Sequence, residues 1–473
     1  MRGSFRFLGV AVGLGTLAAL AADPVVTPKE TAKEEEKPLR TLVRAEAAPG
    51  FYSAQLLGEL DRPIGESLSL AGLTIPARVD KEKGQLELDL RNDGKFSPYR
   101  QEQSLSLNLP REGAKTPLAV KVHLRKQPDG AWTYRNVTQL SVRIENEQFV
   151  IVDANGNGVY NEPGVDGMGL QGATYLFPLP APGERWCTPE QEYTGLSLGP
   201  WGEDLKVSGR ALATQHAAAL PVLKGVIEER LKLGLTPRPE DPKLSSDLQK
   251  HCHYMAQSGA LGHDEDKGKP GYSPEGNAAG QRSILSMGQA PGHIAAGMVQ
   301  TYFHRIDVIR PDALAFGVGY EARYGGIDGR TNLRKDHAKL WPVLCPAPGQ
   351  TDIGLLYGKE APDATPGDDK AGFPVTVQFH TRNLKLTSYT LRPLAAGAAS
   401  PAKDAPNIEC YTYDPKTGAS ASMTGYLECV CIIPKDPLQG ATEYEVTLNV
   451  EVDGQAWTRT WRFTTAGGKR PRR

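Results

Sequence analysis

Four of the chain's nine histidines stand in two runs of one region: His251 and His253 open the stretch HCHYMAQSGALGHDEDKGKPGYSPEGNAAG, His263 lies within it, and His304 stands in the later run MVQTYFHRIDV. Imidazole is the side chain that exchanges a proton near neutral pH and, when neutral, the commonest metal ligand. Residues two apart on a helix do not share a face, so His251 and His253 are poorly placed as joint ligands and one of them is packed or solvated. His263 follows Gly262 at the end of that helical run and precedes Asp264, Glu265 and Asp266. A loop position of this kind leaves an imidazole free to line a cleft.

A second constellation closes a strand in FVIVDANGNGVYNEPGVDG, where Asp153, Asn155 and Asn157 alternate, Gly158 takes the sharp turn and Glu162 stands at position 10 of the loop. Alternating oxygen side chains around a turn suit a hard cation, and D-x-N-x-N-G opens like a calcium loop. Position 12 is Gly164, so the usual bidentate Glu is absent, and Asp166 is available as a third charge. Weak calcium binding is one reading; a plain Asn-Gly turn between strands is the other.

The elements that hold these groups follow from length and pattern. A chain of 473 residues gives a prior of about three domains. With 39% hydrophobic and 23% charged residues it is globular, and 51 Gly and 37 Pro make it loop-rich. Lys+Arg 54 against Asp+Glu 55 leaves no broad field to attract nucleic acid or an anionic membrane. Residues 1–22 carry Arg2 and Arg6, the run FLGVAVGLGTLAALA and a small-x-small site at Ala19-Leu20-Ala21, the pattern of a cleaved secretory signal peptide. The run is shorter than the roughly 20 apolar residues of a spanning helix, and no later segment reaches that length. A mature chain beginning near Ala22 or Asp23 loses two arginines, leaving 52 basic against 55 acidic side chains, a balance of −3.

Residues 23–41, rich in Pro, Glu and Lys, read as a disordered linker. Alternating runs such as SLSLAGL, QLELDL and LSVRIENEQFVIVD between turn signals predict an N-terminal β-sandwich over 42–208. Helical spacing takes over in 209–358, a mixed α/β domain, and 359–372 is a second turn-rich linker. Strands return in 373–466 as a C-terminal β-sandwich of Ig-like size, and 467–473 is a solvated basic tail. Six cysteines in an exported chain can pair. Cys429 and Cys431 fall two apart on a strand and so share a face, and one of them is expected to bridge to Cys410. NVT at Asn136 fits the glycosylation pattern.

The middle region resembles the CAP superfamily, that of cysteine-rich secretory proteins, antigen 5 and plant pathogenesis-related proteins, also described as SCP-like domains. The match runs over roughly 210–358: KHCHYMAQSGALGH ending in His263, PEGNAAG with Glu275 12 residues on, and FHRIDVIRPDALAFGVGY with His304, Arg305 and a GVG strand. The resemblance implies a central α-β-α sandwich whose cleft gathers His263, Glu275 and His304. PEGN inverts the Gly-Glu-Asn of animal and plant members, and no acid lies between Gly276 and Phe303, so their second cleft Glu is missing. Two imidazoles and a carboxylate there can hold zinc, act as an acid–base pair, or form a structural hydrogen-bonded network. Ser258, Ser273, Ser283 and Ser286 lie nearby, yet none sits in a GxSxG elbow. The calcium loop resembles shortened, excalibur-like loops with an acid at position 10, and the last domain resembles bacterial Ig-like modules of surface proteins.

The first functional expectation is therefore a secreted or surface-associated CAP-domain protein. It would serve as an extracytoplasmic binding module for a lipid, glycan or protein ligand, with zinc in the cleft and calcium in the N-terminal loop as its metals. The alternative, a peptidase-like hydrolase, needs a metal-bound water in place of the missing nucleophile.

Overall fold

The computed structural model describes residues 36–47, 61–70, 73–80, 82–109, 117–127, 129–335, 340–398, 400–402, 405–417 and 428–467. The leader expected at 1–22, most of the 23–41 linker and the tail beyond 467 lie outside the described residues. Among the described residues no helix is long and apolar enough to cross a membrane.

Among the described residues, the alternating runs of the first 210 form four antiparallel sheets around one core that reaches from Leu39 to Val207. Its centre is aromatic: Trp186 stacks on Tyr193 with ring centroids 4.2 Å apart, and Phe149 meets Trp186 edge-on. Lys37–Pro38, inside the stretch read as linker, pairs with Ser208 and Gly209 as a two-residue edge strand. A strand that short, with a proline, carries no periodicity to read. Strand Glu147–Val152 runs beside Thr138–Ile144 and pairs with Gly167–Leu170 in the register Val152↔Gly167. That pair clamps the two ends of the 153–166 loop.

In the middle region, strands Ile284–Met287, Tyr324–Asp328 and Gly317–Glu321 form a three-stranded antiparallel sheet with Tyr324–Asp328 at its centre. Five helices belong to the described part of this region: α1 (Leu220–Lys232), α2 (Pro242–Ser258), α3 (Pro274–Arg282), α4 (Ile294–Val299) and α5 (Arg305–Val308). Period-two alternation sends Ile284, Val318 and Ile327 into a core shared with α1 and α4. On the other face Leu285 and Tyr324 pack with Leu248, Cys252 and Met255 of α2 and Ala279 of α3. Helices therefore cover both faces of the sheet.

Local chemistry fixes α2 and α3. Asp241 caps α2 by accepting from the Lys243 and Leu244 amides, Pro242 opens its first turn, and Gly259 ends it in the left-handed region at φ 69°. Ser273 caps α3 by accepting from the Gly276 amide, with Pro274 next. The GVG motif lies where α2 presses on the sheet. A Cβ on Gly317 would stand 2.7 Å from Leu244 Cβ, and one on Gly319 would stand 3.0 Å from the Leu248 carbonyl carbon and Cys252 Sγ.

Among the described residues the C-terminal region is a sandwich of two four-stranded sheets around Val375, Val377, Val430, Ile432, Val446, Leu448, Trp461 and Phe463. Two of its strands, Val343–Cys345 and Gln350–Ile353, precede the 359–372 turn-rich stretch, so the sandwich begins before that stretch. At three and four residues they are too short to announce themselves as strands. All six cysteines are buried free thiols, so the expected bridge among Cys410, Cys429 and Cys431 is not made. The reason is strand alternation. Cys429 and Cys431 do share a face, packed with Tyr302, Ile306 and Ile433, while Cys410 joins the opposite face inside the sandwich core.

Candidate functional site

α2 carries His251 and His253 to different sides. His251 is fully buried: its Nδ1 lies 2.9 Å from Glu265 Oε1 and its Nε2 2.8 Å from the Gly262 carbonyl. Glu265 is equally buried, and its Oε2 accepts from the Ser273 amide while its own amide donates to Asn277 Oδ1. The loop from Gly259 to Ser273 is thereby tied to α2 and α3 by one imidazole–carboxylate pair. Gly276 and Gly280, one turn apart on α3, make room for it. A Cβ on Gly276 would come within 2.5 Å of Glu265 Oε1, and one on Gly280 within 2.6 Å of His251 Nδ1.

His263, Glu275 and His304 each meet a different partner. The exposed His263 lies with Nδ1 2.8 Å from the Gly280 carbonyl. Glu275 is exposed in the first turn of α3, 3.4 Å from Lys250 Nζ, and its own backbone amide, with that ammonium second, holds its carboxyl below the usual range. His304 is turned to Glu360, with Nδ1 2.8 Å from Oε2. Glu360 also accepts from the Tyr302, Phe303 and His304 amides and from the Tyr357 hydroxyl. Burial pushes its carboxyl up, but these donors outweigh burial and hold it below the ordinary value. Among the described residues no three His, Cys, Asp or Glu side chains are arranged to hold a metal ion, so the expected zinc triad is not assembled. The PEGN glycine faces inward, which turns its neighbour Glu275 to solvent.

Two residues that the sequence pointed past complete the picture. Glu321, at the end of the GVG strand, stands 2.7 Å from His253 Nδ1 and accepts from Gln249 Nε2. His216, also within reach of Glu321, has its pKa lowered by burial against that carboxylate's opposing pull. The serines are occupied or isolated from imidazole. Ser258 donates to the Met255 carbonyl, Ser273 caps α3, and Ser283 Oγ is buried with no partner among the described residues.

The N-terminal loop is closed on itself. Asp153 Oδ1 accepts from the Gly156 and Asn157 amides and Oδ2 from the Gly158 amide and Asn136 Nδ2. Asn155 and Asn157 each donate through Nδ2 to Glu162 Oε2, at 2.8 and 2.6 Å. Asp166 accepts from the Ala154 and Glu162 amides. Burial, with Asp153 and Glu162 beside it, raises the Asp166 carboxyl to about 8. Asn136, the sequon asparagine, is buried and holds Asp153.

No family model matches the chain, and no curated protein matches it. Among solved structures it is similar to an extracellular protein containing a SCP domain from Bacillus anthracis str. Ames. The identity is 12%, the match covers 44% of this chain and 84% of that one, and the TM-score is 0.20. A likeness of that size identifies neither the fold nor the activity of this chain.

Proposed function

We propose that this chain is an extracytoplasmic, multi-domain binding protein built around a CAP-like middle domain, which engages a lipid, glycan or protein ligand without chemically altering it. The carrying observation is that the motif glycines, Gly276, Gly280, Gly317 and Gly319, stand where α2, α3 and the sheet approach most closely. Three motifs in order along the chain are thus one packing unit. Its histidine and acid support the shape of the 259–273 loop rather than a reaction, since both ring nitrogens of His251 and both oxygens of Glu265 are engaged. Around that loop Leu261, His263, Asp264 and Asp266 are exposed as a rim. A cavity of about 470 Å³, within the range of small-ligand sites, lies where Tyr175, α1, α4 and the Gly349–Gly354 segment meet. Incubating the purified chain from residue 23 onward with quenched fluorescent casein, with and without chelator, tests the non-catalytic part. No turnover is expected; turnover lost in His263→Ala would establish the hydrolase instead.

A second reading concerns calcium in the N-terminal loop. It is favoured by the Asp166 carboxyl, which burial and the neighbouring Asp153 and Glu162 carboxylates raise, although as the loop stands these three are not arranged around a common metal position. A divalent cation would discharge that repulsion. Asn155 and Asn157 would exchange their bonds to Glu162 for amide-oxygen ligation. Melting with and without millimolar calcium tests it: a rise abolished by Asp153→Ala supports the site, and an unchanged melt removes it.

A further inference from the structure

Arg305 is fully buried between α5 and the C-terminal sandwich. Its Nη1 donates to the Pro374 carbonyl at 2.7 Å, to Thr376 Oγ1 at 3.2 Å and to the Cys345 carbonyl at 3.3 Å. The Phe373 ring stacks over the guanidinium at 4.9 Å. Every one of these partners is neutral. Among the described residues, Nε and Nη2 meet no partner, and no carboxylate forms an ion pair with this side chain. The buried carboxylate of the same layer, Glu360, is spent on His304, Tyr357 and three amides. A guanidinium out of water without countercharge is costly, and so is each N–H left unpaired.

The strand register supplies the neighbours. Cys345, Thr376 and Cys431 form one row across three adjacent strands, and Val343, Gln378 and Cys429 form the next row on the same face. Gln378 is fully buried, and among the described residues neither its amide nitrogen nor its amide oxygen has a partner. Burial pushes the Cys345, Cys429 and Cys431 thiols up, so they carry S–H groups. The face under Arg305 therefore presents guanidinium N–H and thiol S–H together with the Gln378 amide, whose nitrogen and oxygen are both unpaired among the described residues. Such a set repels a metal cation and suits a small anion.

We propose that a small monovalent anion of chloride type is bound in this layer, held by Arg305 Nε and Nη2 and the Gln378 amide nitrogen, and locks the middle region onto the C-terminal sandwich. Two measurements on the whole mature chain test this. Crystals grown in sodium bromide should give an anomalous peak within hydrogen-bond reach of Arg305 and Gln378. Density for water there, with no anomalous signal, overturns the proposal. Replacing gluconate by chloride at constant ionic strength should raise the melting temperature by ~3 °C or more at ~200 mM, and the rise should vanish in Gln378→Met. Arg305→Met should abolish it too, but that variant need not fold, and Gln378→Met carries the test without it. Equal melts in the two salts, or an undiminished chloride effect in Gln378→Met, refute the site.

Discussion

His251 and Glu265 face each other 2.9 Å apart at a point where neither side chain reaches solvent, and the second nitrogen of the imidazole is held by the Gly262 carbonyl. The pair ties three elements together: α2, the 259–273 loop and, through Gly276 and Gly280, α3. Removing one partner strands the other. Glu265→Ala is expected to cost about 3 to 5 kcal/mol, as breaking a buried pair does. Gly280→Ala, which drives a methyl into the imidazole, should cost about 1 to 3 kcal/mol by overpacking. Urea melts of the two variants check both, and wild-type stability in either would contradict the packing.

The pH dependence of the N-terminal loop has a fixed sign. Asp166 is raised from 3.8 to about 8 in the folded chain, so the fold holds a proton that the unfolded chain releases. Its contribution is complete below the unfolded value and is lost as pH climbs toward 8. Without divalent ions the melting temperature should therefore fall between about pH 4 and pH 8 from this group, and Asp166→Asn should flatten that slope. Calcium must displace the same proton, so its stabilising effect should be larger at pH 8 than at pH 6. A calcium effect independent of pH would contradict the linkage.

Asn136 should stay unglycosylated when the chain is made in a host that modifies Asn-x-Thr. Its amide nitrogen donates to Asp153 Oδ2 at 3.0 Å from a buried position. Mass spectrometry of the folded product checks this, and a glycan at Asn136 would contradict the loop geometry. Asn136→Ala should cost about 1 to 3 kcal/mol by leaving a buried carboxylate short of a donor.

The six cysteines should titrate as six thiols in denaturant without reductant, and as none on a short timescale in the native chain, because all are buried. Melts with and without reductant should coincide. Fewer than six thiols in denaturant would restore the bridge that the strand faces argue against.

The strand-rich ends and helical middle were legible because periodicity reports which face is buried, and the shared face of Cys429 and Cys431 followed from the same rule. Partners across the fold were not legible. His304 meets Glu360, 56 residues away, and no spacing rule reaches that far. The acid that matters to His251 was visible as one of three after His263, but only the two glycines at i and i+4 on α3 indicate which carboxylate is buried. Glu275 drew attention as the acid of a motif, while its exposure is set by Gly276 turning inward.

On the proposed reading a ligand is held at the exposed rim of the 259–273 loop and is not chemically altered. Arrays of immobilised lipids and glycans, probed with the labelled chain from residue 23 onward and with a His263→Ala/Asp264→Ala variant of unchanged melting temperature, test it most directly. Retention on one ligand class by the wild type is expected, with at least about a ten-fold loss in the variant, roughly 1.4 kcal/mol. Equal retention by both proteins, or by neither, would contradict it.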